Sequence, residues 1–204
     1  MAGSGAALVR AAGKLRPAVP AGKAPRLLFF TDPMRTPDPV AIAETLPRGV
    51  AVVYRAFGAE DAGRTAATLR EATLRHGALL LVGDDEALAA DADADGLHLP
   101  ERAVVRAPEI RARHPDWLLT GAAHDAAALA RAAEAGLDAA VLSPVFSSRS
   151  PSAGPPLGAV RFAAMVREAQ LPVIALGGID GGTAQRLIGS GAAGFAAVEG
   201  WLSP

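Results

Sequence analysis

Residues Leu171–Asp180 read LPVIALGGID. The run Pro172–Gly177 is apolar without alternation, the pattern of a strand covered on both faces. It stops at Gly177-Gly178, and a helical pattern resumes near Thr183 (TAQRLIGSG). Two adjacent glycines let the backbone approach a ligand and present bare N–H groups. A helix starting beyond them would aim its positive end at the same place. In barrels of alternating strands and helices, the loops after strands seven and eight commonly hold a phosphate. The same letters also suit a tight turn that binds nothing, so the rest of the chain has to decide.

One unit recurs on both sides of this stretch. Apolar runs at Arg26–Thr31, Val50–Arg55, Ala78–Val82, Gly96–Leu99, Trp117–Thr120 and Ala139–Ser143 precede it, and Gly194–Val198 follows. Between them lie helical patterns at Asp38–Leu46, Asp61–His76, Asp84–Ala92, Pro108–His114, Ala126–Ala135 and Ala159–Ala169. Asp125 caps the fifth of these and Gly136 closes it. Eight short strands, seven alternating with helices, predict an α/β protein, a small (β/α)8 TIM barrel. A doubly wound open sheet is the rival. Residues 25–204 are read as the single barrel domain, and 1–24 as an N-terminal extension with a helix over Ala6–Leu15. Only four residues follow Gly200, so the eighth helix is truncated. The N-terminal helix or a second subunit then has to cover the apolar surface left bare, which motivates a homodimer.

Half of the 204 residues are apolar, 20% are charged and the net charge is −1. With no basic block, nucleic acid and anionic membranes are poor partners. The absence of cysteine excludes disulfides, thiolate metal sites and a cysteine nucleophile. The first residues carry no apolar core of signal-peptide length, and no run reaches the ~18 apolar residues of a membrane helix. A soluble, cytoplasmic protein is the default.

Several polar residues fall where a barrel keeps its chemistry, at the C-terminal ends of strands. Arg55 ends the second strand, either as a cation for an anionic substrate or as a surface arginine. His124 follows the fifth, either as an acid–base group or as a helix cap. Asp84-Asp85-Glu86 suits a helix N-terminus and, less well, a metal. His98 suits packing, His76 and His114 suit exposed helix ends, and Asp91, Asp93 and Asp95 suit solvent.

The loop Ser143-Pro-Val-Phe, then Pro156-Leu157-Gly158 and Gly177-Gly178-Ile179, together with His124 and SGAAGFAAVEG, resemble the thiamin phosphate synthase and TenI superfamily in order and spacing. The resemblance runs from about Leu27 to about Gly200. It implies a barrel that handles a small phosphorylated heterocycle, with the thiazole phosphate at Gly177, Gly178, Ile179, Val198 and Gly200. The synthase of that family displaces pyrophosphate from a pyrimidine with Mg²⁺ and cationic groups. Its arginine is present as Arg55 and one of its magnesium carboxylates as Asp84. Its lysine two positions after the arginine is Phe57. Its second magnesium carboxylate falls at Ala103, with Glu101 nearby, and its strand-five serine is Ala123. Its loop lysine falls at Pro151, leaving Ser147 and Arg149 for a pyrophosphate, and its strand-eight hydroxyl residue is Glu199.

Losing one such electrostatic group commonly costs ~2.7–4 kcal/mol of barrier, so four losses speak against an efficient synthase. His124 aligns instead with the histidine that TenI-like thiazole tautomerases use, a proton transfer that needs no cofactor. The expectation is therefore a TenI-like thiazole tautomerase or binder, with Mg²⁺ at Asp84 optional. A divergent Mg²⁺-dependent synthase and a non-catalytic barrel are the alternatives.

Overall fold

The run Leu27–Phe30 (LLFF) shows how the apolar stretches become strands. In the computed structural model, which describes residues 4–150 and 154–202, all four are buried but face two ways. Leu28 and Phe30 join Ala51, Val53, Leu81, Val141 and Ile174 in one cluster, the barrel interior. Leu27 and Phe29 join a larger cluster formed with the helices. Each large side chain so buried contributes about 1.5–3 kcal/mol, which accounts for strands with no polar face.

The strands are β1 (Leu27–Phe30), β2 (Ala51–Tyr54), β3 (Leu80–Gly83), β4 (Gly96–Leu99), β5 (Leu118–Ala123), β6 (Ala139–Leu142), β7 (Val173–Ala175) and β8 (Gly194–Ala197). They pair in chain order, and β8 closes on β1 in parallel register with Phe29 opposite Ala197. The chain is a closed (β/α)8 barrel. The helices are α1 (Ser4–Gly13), α2 (Pro39–Thr45), α3 (Ala62–His76), α4 (Glu86–Asp91), α5 (Ala107–Arg113), α6 (Ala126–Glu134) and α7 (Gly158–Glu168). Local chemistry sets their ends. Asp38, Asp85 and Asp125 each accept a hydrogen bond from the backbone N–H three residues on, and Gly77 closes α3 at φ 59.

Beyond β8 only a 3-10 turn, Glu199–Trp201, stands in for the eighth helix. Helix α1 packs there, against β1, β8 and the flanking turns. Leu8, Ala11 and Leu15 are wholly buried, Arg26 donates to the Ala12 carbonyl at 3.0 Å, and Trp201 Nε1 donates to the Leu28 carbonyl at 3.1 Å. Thus α1 covers the apolar surface on which the expectation of a homodimer rested. Among the described residues no helix is long and apolar enough to cross a membrane.

Three local expectations are corrected. The fifth strand runs on to Ala123, which brings His124 directly onto the barrel rim. The segment after the glycine pair is a five-residue 3-10 turn, Thr183–Leu187. Its leading N–H groups, on Gly182 and Thr183, are both taken by Asp180 Oδ1 at 2.8 Å. This turn therefore keeps neither of those N–H groups free for an anion. Asp95 is not solvated: it holds Arg70 at 2.7 Å and the Leu80 N–H at 2.8 Å, tying α3 to β3.

Candidate active site

Apart from Glu101, the residues singled out for the site line one cavity of about 1150 Å³ at the C-terminal mouth of the barrel. Arg55 and Asp84 enter from the loops after β2 and β3, and His124 from the end of β5. Ser147 and Arg149 come from the loop after β6. Gly177, Gly178, Ile179, Val198 and Gly200 come from the loops after β7 and β8.

The glycine pair is fixed by packing as well as by any ligand. Gly177 and Gly178 have φ of 95° and 61°. A Cβ on Gly177 would lie 2.7 Å from Pro144 Cα, and one on Gly178 would collide with the Ser147 carbonyl. Gly200 is pressed in the same way against the Ile179 carbonyl, so the two last loops abut. Phe146 N–H donates to the Gly177 carbonyl at 2.9 Å, and Thr183 Oγ1 donates to that of Gly178 at 2.8 Å. The N–H groups of Gly178 and Ile179 have no acceptor among the described residues. Beside them stands Arg186, whose guanidinium lies 4.6 Å from the centre of the Phe146 ring and pairs with no carboxylate among the described residues. Sequence reading passed over Arg186, which carries no motif of its own within TAQRLIGSG.

Glu199 threatened this anion site, but its carboxylate is occupied. Arg149 bonds it, and Arg35 lies 4.0 Å away on its other side. Pro151 lies outside the described residues.

His124 is exposed on the rim, and its Nδ1 lies 2.7 Å from the carbonyl oxygen of Ser143. A carbonyl can only accept, so Nδ1 carries the proton in the neutral ring and Nε2 keeps its lone pair.

Arg55 is built into the wall. Its guanidinium lies between two aromatic rings, 5.5 Å from the centre of Phe30 and 5.2 Å from that of Phe57. Nε donates to the Thr31 carbonyl at 2.8 Å, and the buried Nη2 lies 3.5 Å from Asp32. Burial lowers its pKa to about 10, still fully charged at neutral pH. Beneath it, His98 Nδ1 sits 2.9 Å from Thr120 Oγ1, edge-on to Phe30. Burial, with the Arg55 charge adding to it, pushes the His98 pKa down to about 3. His98 is therefore a neutral group in the floor of the mouth.

The donor set does not fit Mg²⁺. The Asp84 carboxylate is bonded by Arg102 at 2.6 Å and faces Arg106 at 3.5 Å. Position 103 is a buried alanine, and Glu101 is turned away to Arg131 at 2.6 Å. No three acidic or histidine side chains converge on a metal position among the described residues. Octahedral Mg²⁺ needs carboxylate oxygens that are not already neutralised by guanidinium groups.

Comparison with known proteins adds what geometry alone does not give. The bifunctional thiamine biosynthesis protein ThiM/ThiE of Symbiobacterium thermophilum is 42% identical over 139 residues, 67% of this chain, which spans only 29% of that protein. A thiamine-phosphate synthase of Alcanivorax borkumensis is 32% identical over 180 residues, covering 85% of this chain and 83% of that one. The solved thiamine phosphate pyrophosphorylase of Pyrococcus furiosus superposes with a TM-score of 0.74 at 23% identity over 86% of both chains, a likeness of fold. These names fit the synthase alternative better than the tautomerase. The family model described as thiamine monophosphate synthase matches residues 27–201, nearly the whole barrel. On that match and on the barrel it spans, the chain belongs to the thiamine monophosphate synthase family.

Proposed function

We propose that the mouth binds a thiazole phosphate and moves a proton on it through His124, as a TenI-like tautomerase does. The observation that carries this reading is the Ser143–His124 hydrogen bond, which leaves Nε2 as a base at the rim of the cavity. The phosphate would rest on the N–H groups of Gly178 and Ile179 with Arg186 as counter-charge. Nε2 takes the proton from one carbon of the thiazole system and returns it to another, so atoms and charge balance without a metal or redox partner. Arg55 supports this chemistry by shaping the wall.

A second reading, a divergent thiamin phosphate synthase, is favoured by the names of the relatives. It requires pyrophosphate to leave without the Mg²⁺ carboxylates, with Arg102 and Arg149 as the remaining exposed cations of the mouth. One pair of assays separates the two. Thiazole phosphate carboxylate is followed for isomerisation with native protein and His124→Ala. Pyrophosphate release is followed with the pyrimidine pyrophosphate and thiazole phosphate, with and without Mg²⁺. Isomerisation lost in the variant supports the first reading. Pyrophosphate release without isomerisation replaces it with the second.

A further inference from the structure

Phe57 is the outlier of the mouth. Its backbone is left-handed at φ 49°, a region that costs a bulky residue about 1–2 kcal/mol, and its side chain is 67% exposed. A strained backbone that holds an aromatic ring in water has no folding rationale of its own, and strain of this kind gathers at ligand clamps. One face of the ring is backed by the Arg55 guanidinium, itself held from below by Phe30. Arg55 is anchored through Nε on the Thr31 carbonyl at 2.8 Å, with Asp32 3.5 Å from its Nη2. The ring therefore rests on a fixed support while lining the cavity.

We propose that Phe57 is the stacking wall for the planar heterocycle of the ligand. A flat ring laid on its open face completes a stack of heterocycle, Phe57, Arg55 and Phe30, and offset stacking adds affinity beyond the area covered. Phe57 thus supplies a flat apolar face for the ring of the ligand at this side of the mouth. The inference rests on the mouth being a site for a phosphorylated heterocycle.

The test titrates native protein, Phe57→Ala and Phe57→Trp with thiazole phosphate carboxylate, and separately with inorganic phosphate. Phe57→Ala is expected to weaken the thiazole ligand about tenfold and to leave inorganic phosphate unchanged. Phe57→Trp is expected to keep the native affinity and to show indole fluorescence quenched on binding. Equal affinity of native and Phe57→Ala for the thiazole ligand overturns the wall and leaves the site. Binding of phosphate as tight as that of the thiazole ligand also overturns it, since the ring then gains nothing. Failure of the native chain to bind either probe overturns the wall together with the functional reading.

Discussion

The carbonyl oxygen of Ser143 lies 2.7 Å from Nδ1 of His124, joining the ends of β6 and β5 across the rim. This contact orients a ring that is otherwise exposed, and it fixes which nitrogen holds the proton. His124→Ala should lower isomerisation of thiazole phosphate carboxylate by about 10²–10⁴, with thiazole affinity changed little. A variant with full turnover would remove His124 from the chemistry.

The guanidinium of Arg102 occupies the one carboxylate left for a metal. Ligand binding should accordingly be the same in chelator as in millimolar Mg²⁺. Arg102→Ala should cost under about 1 kcal/mol of stability, as exposed pairs do, and leave Mg²⁺ without a site. Tight Mg²⁺ binding by the native chain would contradict this.

Arg55 should behave as a structural post. Arg55→Lys lacks the planar fork that meets Phe30, Phe57 and the Thr31 carbonyl together, and Arg55→Ala leaves that carbonyl without its donor. Roughly 2–3 kcal/mol of stability should be lost in Arg55→Ala, read from urea unfolding. An unchanged midpoint would return Arg55 to the role of a mobile substrate cation.

His98 should make the barrel sensitive to mild acid. Its folded pKa of about 3 lies below the ordinary 6.5, so between those values the unfolded chain binds a proton that the folded chain refuses. Stability therefore falls as pH drops from 6.5 towards 3, by at most on the order of 4–5 kcal/mol. His98→Asn should flatten that part of the urea midpoint against pH profile relative to the native chain. Identical slopes would show His98 protonated in the fold.

The architecture was legible because both sides of each strand are buried, which writes the strands as unbroken apolar runs such as LLFF and ALLLV. Where the wording was less informative, competition between local donors decided. TAQRLIGSG fits a helix by spacing, yet Thr183–Leu187 is a 3-10 turn, and Asp180 takes the N–H groups of Gly182 and Thr183. Asp93 and Asp95 look alike in ADADADG, but Asp93 stays exposed at 3.3 Å from Arg70 while Asp95 ties α3 to β3. The residues of the mouth were placed by counting from strand ends. Their engagements were not readable, because Asp84 with Arg102, and Glu199 with Arg35 and Arg149, meet across 18 to 164 residues of chain.

Helix α1 also imposes an order on assembly. Its buried residues Leu8 and Ala11 are synthesised well before β8 and Trp201, against which the helix docks. The ring of strands cannot close until Gly194–Ala197 has emerged to pair with Leu27–Phe29. Until then an apolar helix waits without its partner, a natural target for chaperones during synthesis. Completion of the barrel thus waits on β8 and is governed by contacts between elements far apart in sequence.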